Sequence, residues 1–440
     1  MKQSVSLKDL ETFRADFAGN KLSQVAQKAA SLTEIDKICY NTSSASRMNH
    51  KFSIDLPTMS ACSQKHSGRC WIFSALNLLR EKVAKDLNIE EFELSQNYIA
   101  FYDHLEKANT FLENILETAA DPLEDRRVSG LLREPVGDGG WWEYFVGLCC
   151  KYGAVPKEAM PETQQSGSTD SMNMLINMQL RKDALALRQA AEAGESPEAL
   201  RAMKKAMLNR IYNVLSICLG TPPEHFDFEY VNKDGHYHAC RDLTPMGFYD
   251  RFIGRKLTDI VSILNAPIDS VPFHTTCYTA GEENIYGSFQ AKRLNLPLEE
   301  FKAAVLRQLE AGEPTWFVCD CDYYGSRQEG IWDTELYDYE TAFGLDLTLS
   351  KGELLDLRQC SLNHAMVFTG VNLVDGKPDK WKIQNSWGTD TARKGYFICS
   401  DAWFDRYVFT ASIDRKYLTE EENAQFSQEP VVLPPWNVLA

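Results

Sequence analysis

The period of the apolar positions changes along the chain. Near its start Leu10, Phe13 and Phe17 recur at helical spacing behind Ser6 and Asp9, a capping pair, and Gly19 closes the run. That pattern predicts a capped, amphipathic packing helix. From about Ser60 to Glu162 the period stays helical with glycine interruptions: a helix after Cys70, another from Ser95 to Thr118, a turn at Gly137–Gly140, and a helix through Cys149. This block reads as one compact lobe. Residues 171 to 220, rich in Met, Ala, Leu, Lys, Arg and Gln, are broken by Gly194-Glu195-Ser196-Pro197, where a helix stop is followed by an N-cap and a first-turn proline. A helical hairpin is expected there, and alternation around Asn232–Gly235 predicts a β-hairpin after it.

Strand signals gather later, at 314–321, 362–373, 380–383 and 395–399, with a helix over Leu298 to Ala311 before them. Helices first and strands later in one core suggest an α+β fold, a helical lobe facing a twisted sheet or partial barrel. The expected divisions are 1–165 for the N-terminal helices and helical lobe, 166–270 for a helical and hairpin insertion, and 271–440 for the β-rich lobe. No internal repeat or low-complexity tract is visible.

Composition narrows the picture. A chain of 440 residues with 44% hydrophobic content can bury a large core. The formal net charge of -16, with no Lys/Arg-dominated window, argues against a nucleic-acid partner. The first residues hold no apolar signal segment, and no uncharged apolar run is long enough for a membrane span, so a cytoplasmic protein without a membrane partner is expected. Twelve cysteines are scattered without a CxxC pair, which fits free thiols in a reducing compartment.

One of those cysteines stands apart. Gly68 and Arg69 precede Cys70, and apolar residues follow at Trp71, Ala75, Leu78, Leu79, Val83 and Leu87, so Cys70 falls on the first turn of a helix. Unpaired N–H groups and the positive dipole end there favour a thiolate. A free cysteine is more often only a small buried hydrophobe. What favours chemistry is its company: Asn363-His364-Ala365-Met366 opens a strand pattern, and Ile383-Gln384-Asn385-Ser386-Trp387-Gly388 follows. A thiol nucleophile needs a base, and the base needs a partner that fixes its tautomer.

With Gln64 six residues before Cys70, this ordered set resembles the papain-like cysteine peptidases. Pro135–Gly140, Tyr152–Glu158, Gly395-Tyr396-Phe397 and Ser400–Asp405 narrow the resemblance, over essentially the whole chain, to the bleomycin hydrolase and aminopeptidase C branch. The resemblance implies that Cys70 attacks the scissile carbonyl, that His364 exchanges protons with it, and that Asn385 orients His364 with Trp387 shielding their hydrogen bond. It implies an oxyanion hole from Gln64 and the Cys70 N–H, substrate backbone lying along Gly139 and Gly140, and no metal or organic cofactor. It also implies a homohexameric ring acting on oligopeptides, with the insertion supplying much of the subunit contact. Ser67 stands where secreted relatives carry a disulfide cysteine, in keeping with a cytoplasmic setting.

Departures from the family pattern include Ser63 for Asn, Gln384 for an acidic residue, and Trp141 where relatives often carry Gln, which would reshape a substrate pocket. In aminopeptidase relatives the C-terminal carboxylate lies in the groove and meets the substrate ammonium. Here Pro435-Trp436 is followed only by Asn437-Val438-Leu439-Ala440, three or four residues fewer, which is on the order of 10 Å of reach. An aminopeptidase anchored by Ala440 is the family default, and an endopeptidase with an opened groove is the alternative. A Cys-His acyltransferase, which usually completes its triad with Asp, and an inactive scaffold are more remote. Elsewhere His236 and His238 would share a strand face but lack a third metal ligand, Cys319 and Cys321 read as a strand end, Cys149 and Cys150 as core, and Trp332 with residues 335–340 as a surface connection.

Overall fold

The computed structural model describes residues 4–288 and 290–439. Two helices lead in, α1 (Leu7–Gly19) and α2 (Lys21–Ala30), and the Ser6–Asp9 capping box forms as expected. The packing role expected of α1 is not met: neither helix buries a residue, and Leu7, Phe13, Phe17, Leu22 and Val25 are exposed. Periodicity marks an apolar side but not what covers it.

The helical lobe is built on α3 (Cys70–Leu87), α4 (Gln96–Glu117) and α5 (Trp142–Tyr152). Every residue of α3 from Cys70 to Arg80 is buried, which makes it the central helix. The hairpin of α6 (Asp170–Glu192) and α7 (Pro197–Leu219) turns at Gly194, whose φ of +80° suits glycine, and restarts with Ser196 capping the Ala199 N–H. Its Met172, Ile176, Leu180, Ile211 and Leu215 join one apolar core with Ala108, Leu112 and Ile115 of α4. Next come β1 (Phe226–Val231) and β2 (Tyr237–Leu243), an antiparallel pair; His236 lies in the turn before β2, so it does not share a strand face with His238.

The second half holds β3 (Ile260–Leu264), β4 (Thr275–Thr279), β5 (Arg293–Asn295), α8 (Leu298–Glu310), β6 (Thr315–Cys319), β7 (His364–Val374), β8 (Lys377–Gln384), β9 (Tyr396–Ser400), β10 (Val408–Asp414) and β11 (Val431–Leu433). They lie side by side in the order β11-β4-β5-β3-β10-β6-β7-β8-β9, continued by the short strands Ile331–Trp332 and Gly325–Ser326. The central strands β10, β6 and β7 are buried on both faces for most of their length because α3 packs on one side and α8 on the other. The fold is therefore α+β, with the strand that begins at His364 laid against the helix that begins at Cys70.

Two local expectations fail. Trp332 is 2% exposed, packed among Trp387, Phe397 and Trp403, with its indole N–H on the Cys321 carbonyl. Cys150 faces solvent while Cys149 is core, since adjacent residues on a helix point about 100° apart. No helix among the described residues is long and apolar enough to cross a membrane.

Candidate active site

Cys70 is the first residue of α3 and His364 the first of β7, and the packing of helix on strand sets them side by side. The Ala365 N–H donates to Cys70 Sγ at 3.4 Å, and Ser74 Oγ, one turn along, donates to the Ala365 carbonyl at 2.8 Å. Both candidate residues line one cleft of about 620 Å³, together with Trp71, Gly139, Gly140, Trp141 and Pro435.

Asn385 follows the end of β8, the neighbour of β7. Its Oδ1 accepts the Ser386 N–H at 2.7 Å, which fixes the amide orientation, and lies 2.9 Å from His364 Nε2. An oxygen there requires that Nε2 carry the proton, leaving Nδ1 as the acceptor on the ring. Trp387 stacks on the imidazole at 4.9 Å and 21°, and covers this hydrogen bond.

Gln64 is drawn in by a short pairing between two distant loops. The Gln64 N–H donates to the Ser386 carbonyl at 2.8 Å and the Gly388 N–H to the Cys62 carbonyl at 3.0 Å. The Gln64 side chain is fixed as well: Oε1 accepts from Ser386 Oγ, and one hydrogen of Nε2 goes to the Ser67 carbonyl. Its second amide hydrogen is left unused, and the N–H groups of Cys70 and Trp71, on the first turn of α3, have no partner within the helix.

Electrostatics here runs against the simple helix-end expectation. Burial pushes the Cys70 thiol up to about 11, although the N–H groups of Ala365, Trp71 and Cys70 itself act the other way. Burial also pulls His364 down to about 4, opposed by its bond to Asn385 and reinforced by the Arg327 charge. Burial thus opposes a charge on either group taken alone. Moving the thiol proton to Nδ1 creates both charges together, so each offsets the desolvation of the other.

Beneath the thiol lies a polar network that the sequence did not single out. Asp138 accepts the Gly68 N–H at 2.7 Å and the Asn173 Nδ2–H at 2.7 Å, takes Thr169 Oγ1 as a third donor, and lies 3.3 Å from His104 Nε2. Although burial raises it, these partners, His104 foremost, hold its carboxyl well below the usual carboxylate range. Lys107 spans the same turn from α4, bonding the Gly137 and Gly139 carbonyls and pairing with Asp103. Asp138 was in plain view within the glycine-rich motif; its partners at 104 and 173 are visible only once α4 and α6 are packed.

The two glycines of that turn differ. A Cβ on Gly139 would meet nothing within 4 Å, whereas one on Gly140 would come within 2.6 Å of the Trp71 ring. Gly139 is therefore the one that leaves the cleft open, and Gly140 makes room for an indole. Trp141 carries the guanidinium of Arg293 at 4.1 Å; Arg293, 1% exposed, pairs with Glu282 at 2.9 Å and holds the Leu439 carbonyl at 3.2 Å. Ala440, the expected ammonium anchor, lies outside the described residues.

This constellation coincides with a family assignment. A model of the Peptidase C1-like family matches residues 4–440. The chain belongs to the Peptidase C1-like family. Peptidase C1-like relatives include aminopeptidase C of Listeria monocytogenes, 40% identical over 100% of this chain and 99% of its own length. Aminopeptidase C and aminopeptidase G of Lactobacillus delbrueckii subsp. lactis are 39% and 38% identical, each covering 100% of this chain and 98% and 100% of their own. The crystal structure of PepW from Lactobacillus rhamnosis HN001 (DR20) superposes with a TM-score of 0.98 at 42% identity, over 100% of this chain and 99% of that one. As a member of this family the chain is a cysteine-type peptidase.

Within the Peptidase C1-like site, Cys70, His364, Gly139 and Gly140 line the cleft, Asn385 and Trp387 hold His364, and Gln64 is bonded to Ser67 in the turn that leads to Cys70. Arg293 and Arg327 were missed because an isolated arginine carries no spacing signal.

Proposed function

We propose that this peptidase removes N-terminal residues from oligopeptides, with Cys70 as nucleophile, His364 as proton carrier and Asn385 as its orienting partner. His364 Nδ1 takes the thiol proton as Sγ bonds to the scissile carbonyl carbon. The charge that develops on the carbonyl oxygen is met by the Cys70 N–H and the free hydrogen of Gln64 Nε2. His364 then returns its proton to the leaving amine, and water attacks the resulting thioester by the reverse sequence, releasing the acid and restoring the thiol.

The observation that carries the exopeptidase reading is the course of the last described segment. Pro435 lines the cleft that holds Cys70, and the Leu439 carbonyl is fastened to the buried Arg293 behind the cleft wall at Trp141. A segment fastened there limits how much peptide can extend past the scissile residue on that side. Relatives named aminopeptidase C and G agree with the reading.

A cytoplasmic location is part of the proposal, supported by twelve cysteines that are all unbridged. So is a homohexamer, supported by the exposed apolar side chains of α1, α2 and α6, among them Phe13, Val25 and Met178.

The deciding assay offers one peptide with a free N-terminus and the same peptide N-acetylated, under reducing conditions, with Cys70→Ala as control. Stepwise trimming of the free peptide alone is expected. Internal cuts in both would replace this reading with an endopeptidase.

A further inference from the structure

The leaving amine must take its proton from His364, so the departing part of a peptide lies on the His364 side of the cleft. The groups around that side can be followed outward. The His364 ring stacks on Trp387 at 4.9 Å, and the guanidinium carbon of Arg327 lies 3.9 Å from the Trp387 ring. Both groups therefore contact the same indole, which places Arg327 close to the base, within reach of one or two extended residues at about 3.3 Å each.

Arg327 is exposed, in the loop between the short strands Gly325–Ser326 and Ile331–Trp332. Among the described residues its guanidinium forms no ion pair or hydrogen bond, and it packs on the Trp387 indole. Stacking holds the plane of the fork while leaving its N–H donors free, the arrangement that suits a carboxylate. The acidic groups of the same stretch have other partners: Glu329 accepts the Tyr40 hydroxyl at 2.6 Å, Asp320 and Asp322 both accept from Asn363 Nδ2 at 2.9 Å, and Asp320 also takes the Ser361 N–H.

We propose that Arg327 recognises a carboxylate on the leaving-group side, so that peptides with a free C-terminus or an acidic residue one or two positions past the scissile bond are preferred substrates. The proposal rests on the reading of Cys70 and His364 as peptide-cleaving residues.

The test compares kcat/KM for a dipeptide and a tripeptide, each as free acid and as C-terminal amide. In low salt the free acids should be cut about three- to tenfold more efficiently, the range of a partly exposed arginine–carboxylate contact. The ratio should fall towards one in Arg327→Gln, survive in part in Arg327→Lys, and shrink for the unaltered enzyme at about 0.5 M salt. A preference for the amides, which Asp322 would impose if it dominated, or an acid-to-amide ratio that Arg327→Gln leaves unchanged, overturns the proposal while the peptidase reading stands. Absence of Cys70-dependent cleavage of all four peptides overturns both.

Discussion

The backbone N–H of Gly68 ends on the Asp138 carboxylate at 2.7 Å, two residues ahead of the thiol. The same residue's backbone carbonyl accepts the Trp71 indole N–H at 2.7 Å, so Asp138 grips the turn on both sides of Cys70. Asp138→Asn should lower kcat/KM by up to about a hundredfold, the scale of a misplaced reacting group. It should also cost roughly 1–3 kcal/mol of stability by weakening a buried acceptor shared by Gly68, Thr169, Asn173 and His104. The pH sign is clear: the Asp138 pKa is depressed in the folded state, so its contribution is full above the ordinary carboxylate range near about 4 and is lost as pH falls below that. Denaturation at pH 7 and at acid pH should show the two proteins converging as pH drops.

Cys70 and His364 are expected to titrate as a unit. With burial pushing the thiol up to about 11 and the imidazole down to about 4, neither charges readily alone. Removing the proton acceptor by His364→Ala should slow alkylation of Cys70 by iodoacetamide at pH 7 at least about tenfold, with recovery only as pH rises through the alkaline range. Labelling at an unchanged rate would mean that the imidazole does not take the thiol proton.

Asn385→Ala removes the oxygen that keeps the proton on Nε2 of His364. We expect kcat to fall about a hundredfold with KM little changed, because the lost interaction orients a proton carrier and does not bind substrate. A rise in KM alone would assign Asn385 to substrate binding.

Gly139→Ala and Gly140→Ala should part company. The second places a methyl group 2.6 Å from Trp71 and should destabilise by about 1–3 kcal/mol, measured by urea unfolding. The first has open space around it, so the fold should keep its stability while the cleft narrows and KM rises.

Arg293→Met tests the fastening of the last segment. It strands Glu282 in a buried setting, at a cost of roughly 3 kcal/mol, and releases the Leu439 carbonyl. Cleavage of N-acetylated peptides should then appear or increase; if it does not, this fastening does not govern where the enzyme cuts.

The fold class and the helix-then-strand order were legible because α3, α4 and the α6–α7 hairpin carry long periodic runs with caps such as Ser95 and Ser196. The residues gathered around the cleft were legible through their order and the resemblance it carries, since Cys70 and His364 each begin an element. What the sequence did not show depends on packing. The exposure of α1 could not be told from a buried amphipathic stripe, and Trp332 reads as surface until Trp387, Phe397 and Trp403 close round it. The lifted thiol and depressed imidazole come from burial beneath both halves of the chain, a quantity that no local pattern encodes.

The short pairing of residues 62–64 with 386–388 has a consequence for synthesis. Ser386 and Gln64, whose side chains bond to one another, are 322 positions apart. On the ribosome the nucleophile's loop therefore emerges long before the strand and loop that complete it, and no N-terminal fragment contains a finished cutting centre. A growing chain therefore lacks a complete cutting centre until Trp387 and Gly388 have cleared the exit tunnel, so the topology itself times the appearance of activity.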